Sequence, residues 1–141
     1  MKKVLLLGII ITSVLSCSIN DSTGEGFYFE ILPIESVTIP NEMTFGEVYT
    51  INYTYFKPST CYFFHDLYYV AESNKRTVAV INKVLEGSES IICEPLIDEL
   101  VEGSFEFVVT QSGGTYVFKF WQGEDENGDD IYLVHEVTIV L

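Results

Sequence analysis

The sequence predicts an all-β domain, an antiparallel sandwich of about seven strands in two sheets. Two observations carry that expectation. Ser112–Trp121 opens on a Gly-Gly turn and then alternates, Tyr116, Phe118 and Phe120 against Val117, Lys119 and Trp121. Period two of that kind makes one strand face aromatic and buried. From Phe27 onward the chain is a succession of short apolar or alternating runs, rich in aromatic and β-branched residues and separated by turn residues.

Taken in order, Phe27–Leu32 leads into Pro33, and Ile34–Ile39 is the expected first strand, stopped by Pro40-Asn41. A proline beside such a strand suits a sheet edge, because it cannot donate to a ladder. Glu47–Phe56 turns Tyr49, Ile51, Tyr53 and Tyr55 one way and Val48, Thr50, Asn52 and Thr54 the other. Cys61–Ala71 is aromatic on both faces, which predicts a central strand covered on both sides. Ser73-Asn74-Lys75 turns the chain into the β-branched run Arg76–Leu85. In the acidic stretch Glu86–Gly103, Leu96, Ile97, Leu100 and Val101 have helical spacing behind Pro95, so a connecting loop with one helical turn is expected. Ser104–Thr110 resumes alternation with Phe105, Phe107 and Val109 inward. The last two strands are Gly114–Trp121 and Ile131–Leu141, joined by the acidic loop Gln122–Asp130.

A turn glycine, Gly114, followed two residues on by Tyr116 at the opening of the penultimate strand resembles the tyrosine corner of immunoglobulin-like sandwiches. The resemblance is firmest over Phe105–Leu141 and implies an Ig-like sandwich for residues 27–141. Phe118 stands where antibody-type domains carry the cysteine of that strand, which implies phenylalanine packing in place of an inter-sheet disulfide.

The N-terminus supplies an address. Met1-Lys2-Lys3, an apolar run over Val4–Val14 and then Leu15-Ser16-Cys17 have the order of a secretory signal. The run is shorter than the ~20 residues that span a bilayer. Val14-Leu15-Ser16-Cys17 resembles a bacterial lipobox, with Val14 where leucine is commonest. The resemblance implies a signal peptide over 1–16, cleavage before Cys17 and its acylation, against the alternative of a plain signal with an incidental cysteine. Several acyl chains on one residue anchor stably, so the mature protein is expected on the cell envelope, at the outer membrane. Residues 17–26 are polar and glycine-containing and read as a tether. Asp21-Ser22-Thr23 is similar to the O-glycan acceptor of Bacteroidetes, and the whole precursor resembles the small lipoproteins of that group, a resemblance that brings no activity with it.

Setting aside Cys17 leaves Cys61 and Cys93. In an oxidising compartment they are expected to form a disulfide, against the alternative of two buried thiols. The formal net charge is −14. Such a surface disfavours nucleic acid and anionic membranes, and no basic patch opposes it.

Three features could carry chemistry. Glu124, Asp125, Glu126, Asp129 and Asp130 crowd one loop around Asn127-Gly128, a carboxylate set of the type that holds Ca²⁺. EF-hand spacing fails, with Gly123 at position one and Val134 at position twelve, and a solvated hairpin tip explains the loop as well. His65 and His135 lie in strands. His65-Asp66 are neighbours expected to face opposite ways, and no GxSxG, HExxH or phosphate-loop signature is present. An enzyme is therefore not expected, a small hydrolase or thiol enzyme being the second alternative. Third, Tyr62, Phe63, Phe64, Tyr68 and Tyr69 exceed what one core face holds, and Trp121 falls opposite Phe118 and Phe120. Tyr68, Tyr69 and Trp121 are the candidates for an exposed binding surface. The expected function is a lipid-anchored, non-catalytic envelope module for a protein or glycan partner. The first alternative is a Ca²⁺-dependent adhesion module using the acidic loop.

Overall fold

The computed structural model describes residues 26–141. The expected signal peptide, Cys17 and nearly all of the expected tether lie outside the described residues. Nine strands form, with no helix among the described residues: β1 Phe27–Leu32, β2 Ile34–Thr38, β3 Glu42–Thr44, β4 Val48–Phe56, β5 Tyr62–Glu72, β6 Lys75–Leu85, β7 Leu100–Val108, β8 Gly114–Glu124 and β9 Asp130–Val140. They make a two-sheet sandwich. The larger sheet carries β1, β3, β5, β6, β8 and β9, and the smaller runs β2-β4-β7.

Nine strands replace the expected seven because Phe27–Leu32 forms a strand of its own ahead of Pro33 and Glu42–Thr44 adds a short one. With no N–H and a fixed φ, Pro33 lets the chain leave the larger sheet after Leu32 and enter the smaller at Ile34, both side chains buried. As its proline suggests, β2 is an edge strand. Five pairings are antiparallel, while β6 with β8 and β3 with β9 are parallel.

The alternation of β4 and β8 builds the core. Ile51, Tyr53 and Tyr55 face Tyr116, Phe118 and Phe120 across the sheets, with Ile34, Met43, Val78, Val80, Phe107 and Val137 filling between them. Phe118 is fully buried and meets Phe107 of the opposite sheet edge-to-face at 5.0 Å. Ring packing thus occupies the place of an inter-sheet disulfide. The tyrosine corner is present: the Tyr116 hydroxyl accepts the Gln111 N–H at 3.1 Å and lies 3.3 Å from Thr110 Oγ1.

Arg76, nearly buried, donates to the carbonyls of Ser73 and Lys75, and its guanidinium lies 4.8 Å from the Tyr116 ring. Carbonyls and a π-face satisfy the charge that burial would otherwise penalise.

Two expectations are corrected. β5 pairs with β6 alone, so it is an edge strand, and most of its side chains are exposed. Aromatic content on both faces signalled a covered strand, but only the inner face packs toward the smaller sheet, Tyr69 against Phe105, while Phe63 and Tyr68 on the outer face stay exposed. Residues 94–101 form no helical turn. Cys61 and Cys93 are bridged, with Cα atoms 5.2 Å apart, and this draws Glu94–Leu96 onto the segment before β5. There Thr60 N–H donates to the Glu94 carbonyl and Leu96 N–H to that of Pro58. Backbone groups spent on that pairing cannot close helical bonds. Ile97 is left 88% exposed, and Leu100-Val101 already belong to β7.

Candidate functional site

Register assigns every side chain of the larger sheet to a face. Across β8–β9, Phe118 lies beside His135 and Phe120 beside Leu133, pointing inward, while Lys119 lies beside Val134 and Trp121 beside Tyr132, pointing outward. Phe27, Phe29 and Ile31 of β1 pair with Leu85, Lys83 and Ile81 of β6 on the outward face. Phe63 and Tyr68 of β5 pair outward with Lys83 and Ala79. The result is an uncovered aromatic face, with Phe29 53% and Tyr68 46% exposed.

The outward face of the smaller sheet is different. There Thr50 sits beside Glu106, Asn52 beside Ser104 and Thr54 beside Glu102, with apolar residues only towards the strand ends. One sandwich thus presents one polar face and one aromatic face.

Cations are concentrated on the aromatic side. Of the seven Lys and Arg, five remain after Lys2 and Lys3. Lys83 Nζ lies 4.2 Å from the Phe27 ring centroid, Lys119 4.0 Å from Tyr132 and Lys57 5.2 Å from Phe63. Each ammonium sits on a π-face while its alkyl stem covers apolar surface.

Within this face is a groove of about 320 Å³. Its origin is topological. β6 offers one edge to two partners, β8 along Lys75–Val78 and β1 along Val80–Leu85. Where β8 ends its pairing and β1 begins, the sheet forks. Ile31, Tyr68, Thr77, Trp121, Tyr132, Glu124 and Asp130 line the gap. A bulge between Trp121 and Gly123, where Gly123 has φ 108°, bends β8 away there, and Gln122 Nε2 ties it to the Ile34 carbonyl at 3.1 Å.

Asp130 fixes two of the rings. Trp121 Nε1–H donates to its Oδ1 at 2.7 Å, and the Tyr132 hydroxyl donates to its Oδ2 at 3.1 Å. The Tyr132 phenol pKa is raised, by desolvation first and then by the Asp130 carboxylate that accepts its proton.

The candidates fall as follows. Tyr68 and Trp121 meet in the groove. Tyr69 does not join them: it points to the inner side, its ring 6.2 Å from Phe105, lining a separate cleft between β5 and β7 beside Arg76. Its pKa is raised by burial, with Arg76 opposing.

The acidic residues do not converge. Asp125 closes its own turn: its Oδ1 accepts the N–H groups of Asn127 (2.8 Å) and Asp129 (3.0 Å), and these bonds hold its carboxyl below the ordinary range. Gly128, at φ 84°, completes the hairpin tip. Among the described residues no three His, Cys, Asp or Glu side chains gather as a metal would require. Glu126 and Asp129 lie on that exposed tip, while Glu124 and Asp130 belong to the groove.

His65 sits at a β-bulge, so the strict alternation expected for His65 and Asp66 does not hold. Its ring instead lies 4.5 Å from Phe29, and Asp66 Oδ1 accepts the Leu67 N–H. Cys93 is in the disulfide and offers no thiolate.

Sequence reasoning missed Tyr132, Ile31 and Thr77. Folding the last hairpin about Asn127-Gly128 would set Val134 opposite Trp121, and it is the longer tip together with the bulge between Trp121 and Gly123 that brings Tyr132 there instead. Ile31 and Thr77 come from the fork, which no local pattern announces. No protein-family model, curated protein or solved structure matches the chain.

Proposed function

We propose that the chain is a non-catalytic binding module of the cell envelope, anchored through Cys17, that engages its ligand through the outward face of the six-stranded sheet. The observation that carries this reading is the asymmetry of the sandwich. One outer face is hydroxyls, amides and carboxylates at its centre, with apolar side chains only at the strand ends; the other leaves Phe27, Phe29, Phe63 and Tyr68 exposed across the sheet. Contiguous uncovered apolar surface is disfavoured in water unless something occupies it. Rigid aromatics lose little conformational entropy on binding, which makes them effective anchors. A binding role also accords with the side chains that might have served catalysis, since Cys93 is bridged, the His65 ring lies tilted against Phe29 and Asp66 accepts the Leu67 N–H.

The test separates ligand binding from lipid anchoring. A Cys17→Ser form, freed of any lipid, is incubated with the envelope fraction of the producing cell and its retention measured. The triple substitution Phe29→Ser, Phe63→Ser, Trp121→Ser, kept only if it melts cooperatively, is expected to abolish retention. Val48→Ser and Val108→Ser on the other face are expected to preserve it. Equal retention of all forms contradicts the reading.

A further inference from the structure

We propose that the groove at the strand fork is a saccharide site, which takes a neutral hexopyranose unit of a glycan. The inference rests on the binding-module reading and names the ligand class for part of that face.

The lining divides by chemistry into two sets. Trp121, Tyr68, Tyr132 and Ile31 provide apolar surface, while the polar groups are the carboxylates of Glu124 and Asp130 and the Thr77 hydroxyl, the Tyr132 hydroxyl being already bonded to Asp130. Carboxylates only accept hydrogen bonds, so the ligand must bring donors, and no Lys or Arg lines the groove to neutralise an anion. A pyranose meets both demands, because its C–H face packs on an aromatic ring while its hydroxyls donate from the rim. Uronic acids, sialic acids and sulfated sugars would bring negative charge against two carboxylates in a chain of formal charge −14. The volume, about 320 Å³, is at the low end of the ~300–1,000 Å³ of small-molecule sites and suits one sugar ring with its neighbours outside.

Pre-organisation strengthens the assignment. Asp130 holds the Trp121 indole and the Tyr132 phenol at once. Those rings do not have to be ordered when the ligand arrives. Lys119 occupies one face of Tyr132, which leaves Trp121 and Tyr68 as the open platforms. Asp130 is thus a positioning residue as well as an acceptor.

Trp121 is the only tryptophan in the chain, so its emission reports on this groove alone. The purified protein is titrated with millimolar maltoheptaose, laminarihexaose, cellohexaose, xylohexaose, mannohexaose and chitohexaose, with oligogalacturonate as the charged control. At least one hexose-based neutral oligosaccharide is expected to shift the emission to the blue and protect Trp121 from acrylamide quenching, while oligogalacturonate does neither. Tyr68→Ala is expected to weaken that affinity by about tenfold. Asp130→Ala is expected to raise quenching before any sugar is added and to weaken binding as well. Val48→Ala, on the outward face of the smaller sheet, should leave the affinity unchanged.

Failure of every neutral oligosaccharide to alter the emission overturns the proposal, as does an unchanged affinity in Tyr68→Ala. A response to oligolysine alone would reassign the groove to a cationic peptide. None of these results touches the retention experiment above, so a failed saccharide and a failed binding face are distinguishable.

Discussion

Tyr116 shows how much a single side chain contributes when both its ring and its hydroxyl are used. The ring is fully buried beside Phe107, and the hydroxyl accepts the Gln111 N–H. Tyr116→Phe keeps the packing and loses the bond. It is expected to cost about 1 kcal/mol in urea denaturation, against about 3–5 kcal/mol for Phe118→Ala, which opens a cavity. Asn82 is the opposite case. It is 1% exposed, and its side-chain amide, next to the Tyr55 phenol, leaves both Nδ2 and Oδ1 without a well-formed hydrogen bond. Asn82→Leu removes that uncompensated desolvation and is expected to stabilise the fold by about 1 kcal/mol, read from the same denaturation curves. The phenols set an alkaline limit. Burial, then the charge of Tyr55, pushes Tyr53 up to about 12, and Tyr55, Tyr62 and Tyr69 are also raised, with burial the largest cause in each. A folded pKa above the unfolded value of about 10 favours the neutral phenol in the native state. That contribution is whole below pH ~10 and is lost as the pH rises toward the folded values. Absorbance titration at the tyrosinate band should show these phenols lagging the exposed ones, with stability falling over the same range. Simultaneous titration of all nine tyrosines near 10 would contradict their burial.

At the scale of elements, legibility followed local period. The alternation of Glu47–Phe56 and of Gly114–Trp121 placed β4 and β8 with the correct inward residues, because one face of each is wholly apolar. Pairing order was not legible, since it is set by long-range contacts. The aromatic run of β5 reads the same whether it is covered on both sides or bare at an edge, and only its place at the margin of the larger sheet decides. The spacing of Leu96, Ile97, Leu100 and Val101 mimics a helix, but the Cys61–Cys93 bridge draws the segment back onto Lys57–Thr60. That bridge encloses a sequence separation of 32 and is expected to contribute about 3–4 kcal/mol by restricting the unfolded chain. The double substitution Cys61→Ser, Cys93→Ser should lower the urea midpoint accordingly and loosen residues 86–99 first in hydrogen exchange. A midpoint unchanged from the bridged protein would contradict that role. Gly103 is another element-level constraint. It pairs with Tyr53, and a Cβ there would collide with the Tyr53 ring. Gly103→Ala is therefore expected to destabilise by about 1–3 kcal/mol.

For the whole molecule, the property that matters is the inequality of its two outer faces. The sequence contained half of it: alternation turned Trp121 outward, and the aromatic excess of Tyr62–Tyr69 pointed to an exposed face without telling Tyr68 from Tyr69. The other half, β1 laid along the same edge of β6 as β8, has no local signature, yet it adds Phe27, Phe29 and Ile31 and makes the fork. Acidity also reads differently once folded. Of the five loop carboxylates, Asp125 stabilises the hairpin tip and Asp130 orients Trp121 and Tyr132. Two of the loop carboxylates thus have structural duties, one at the tip and one in the groove. The most direct test of the account is amide chemical-shift mapping of the isotope-labelled Cys17→Ser protein during titration with the envelope fraction that retains it. The account predicts perturbations confined to β1, β5, β6, β8 and β9, strongest around Ile31, Tyr68 and Trp121. Perturbations centred on β2, β4 and β7, or on the Asp125–Asp129 tip, would contradict it.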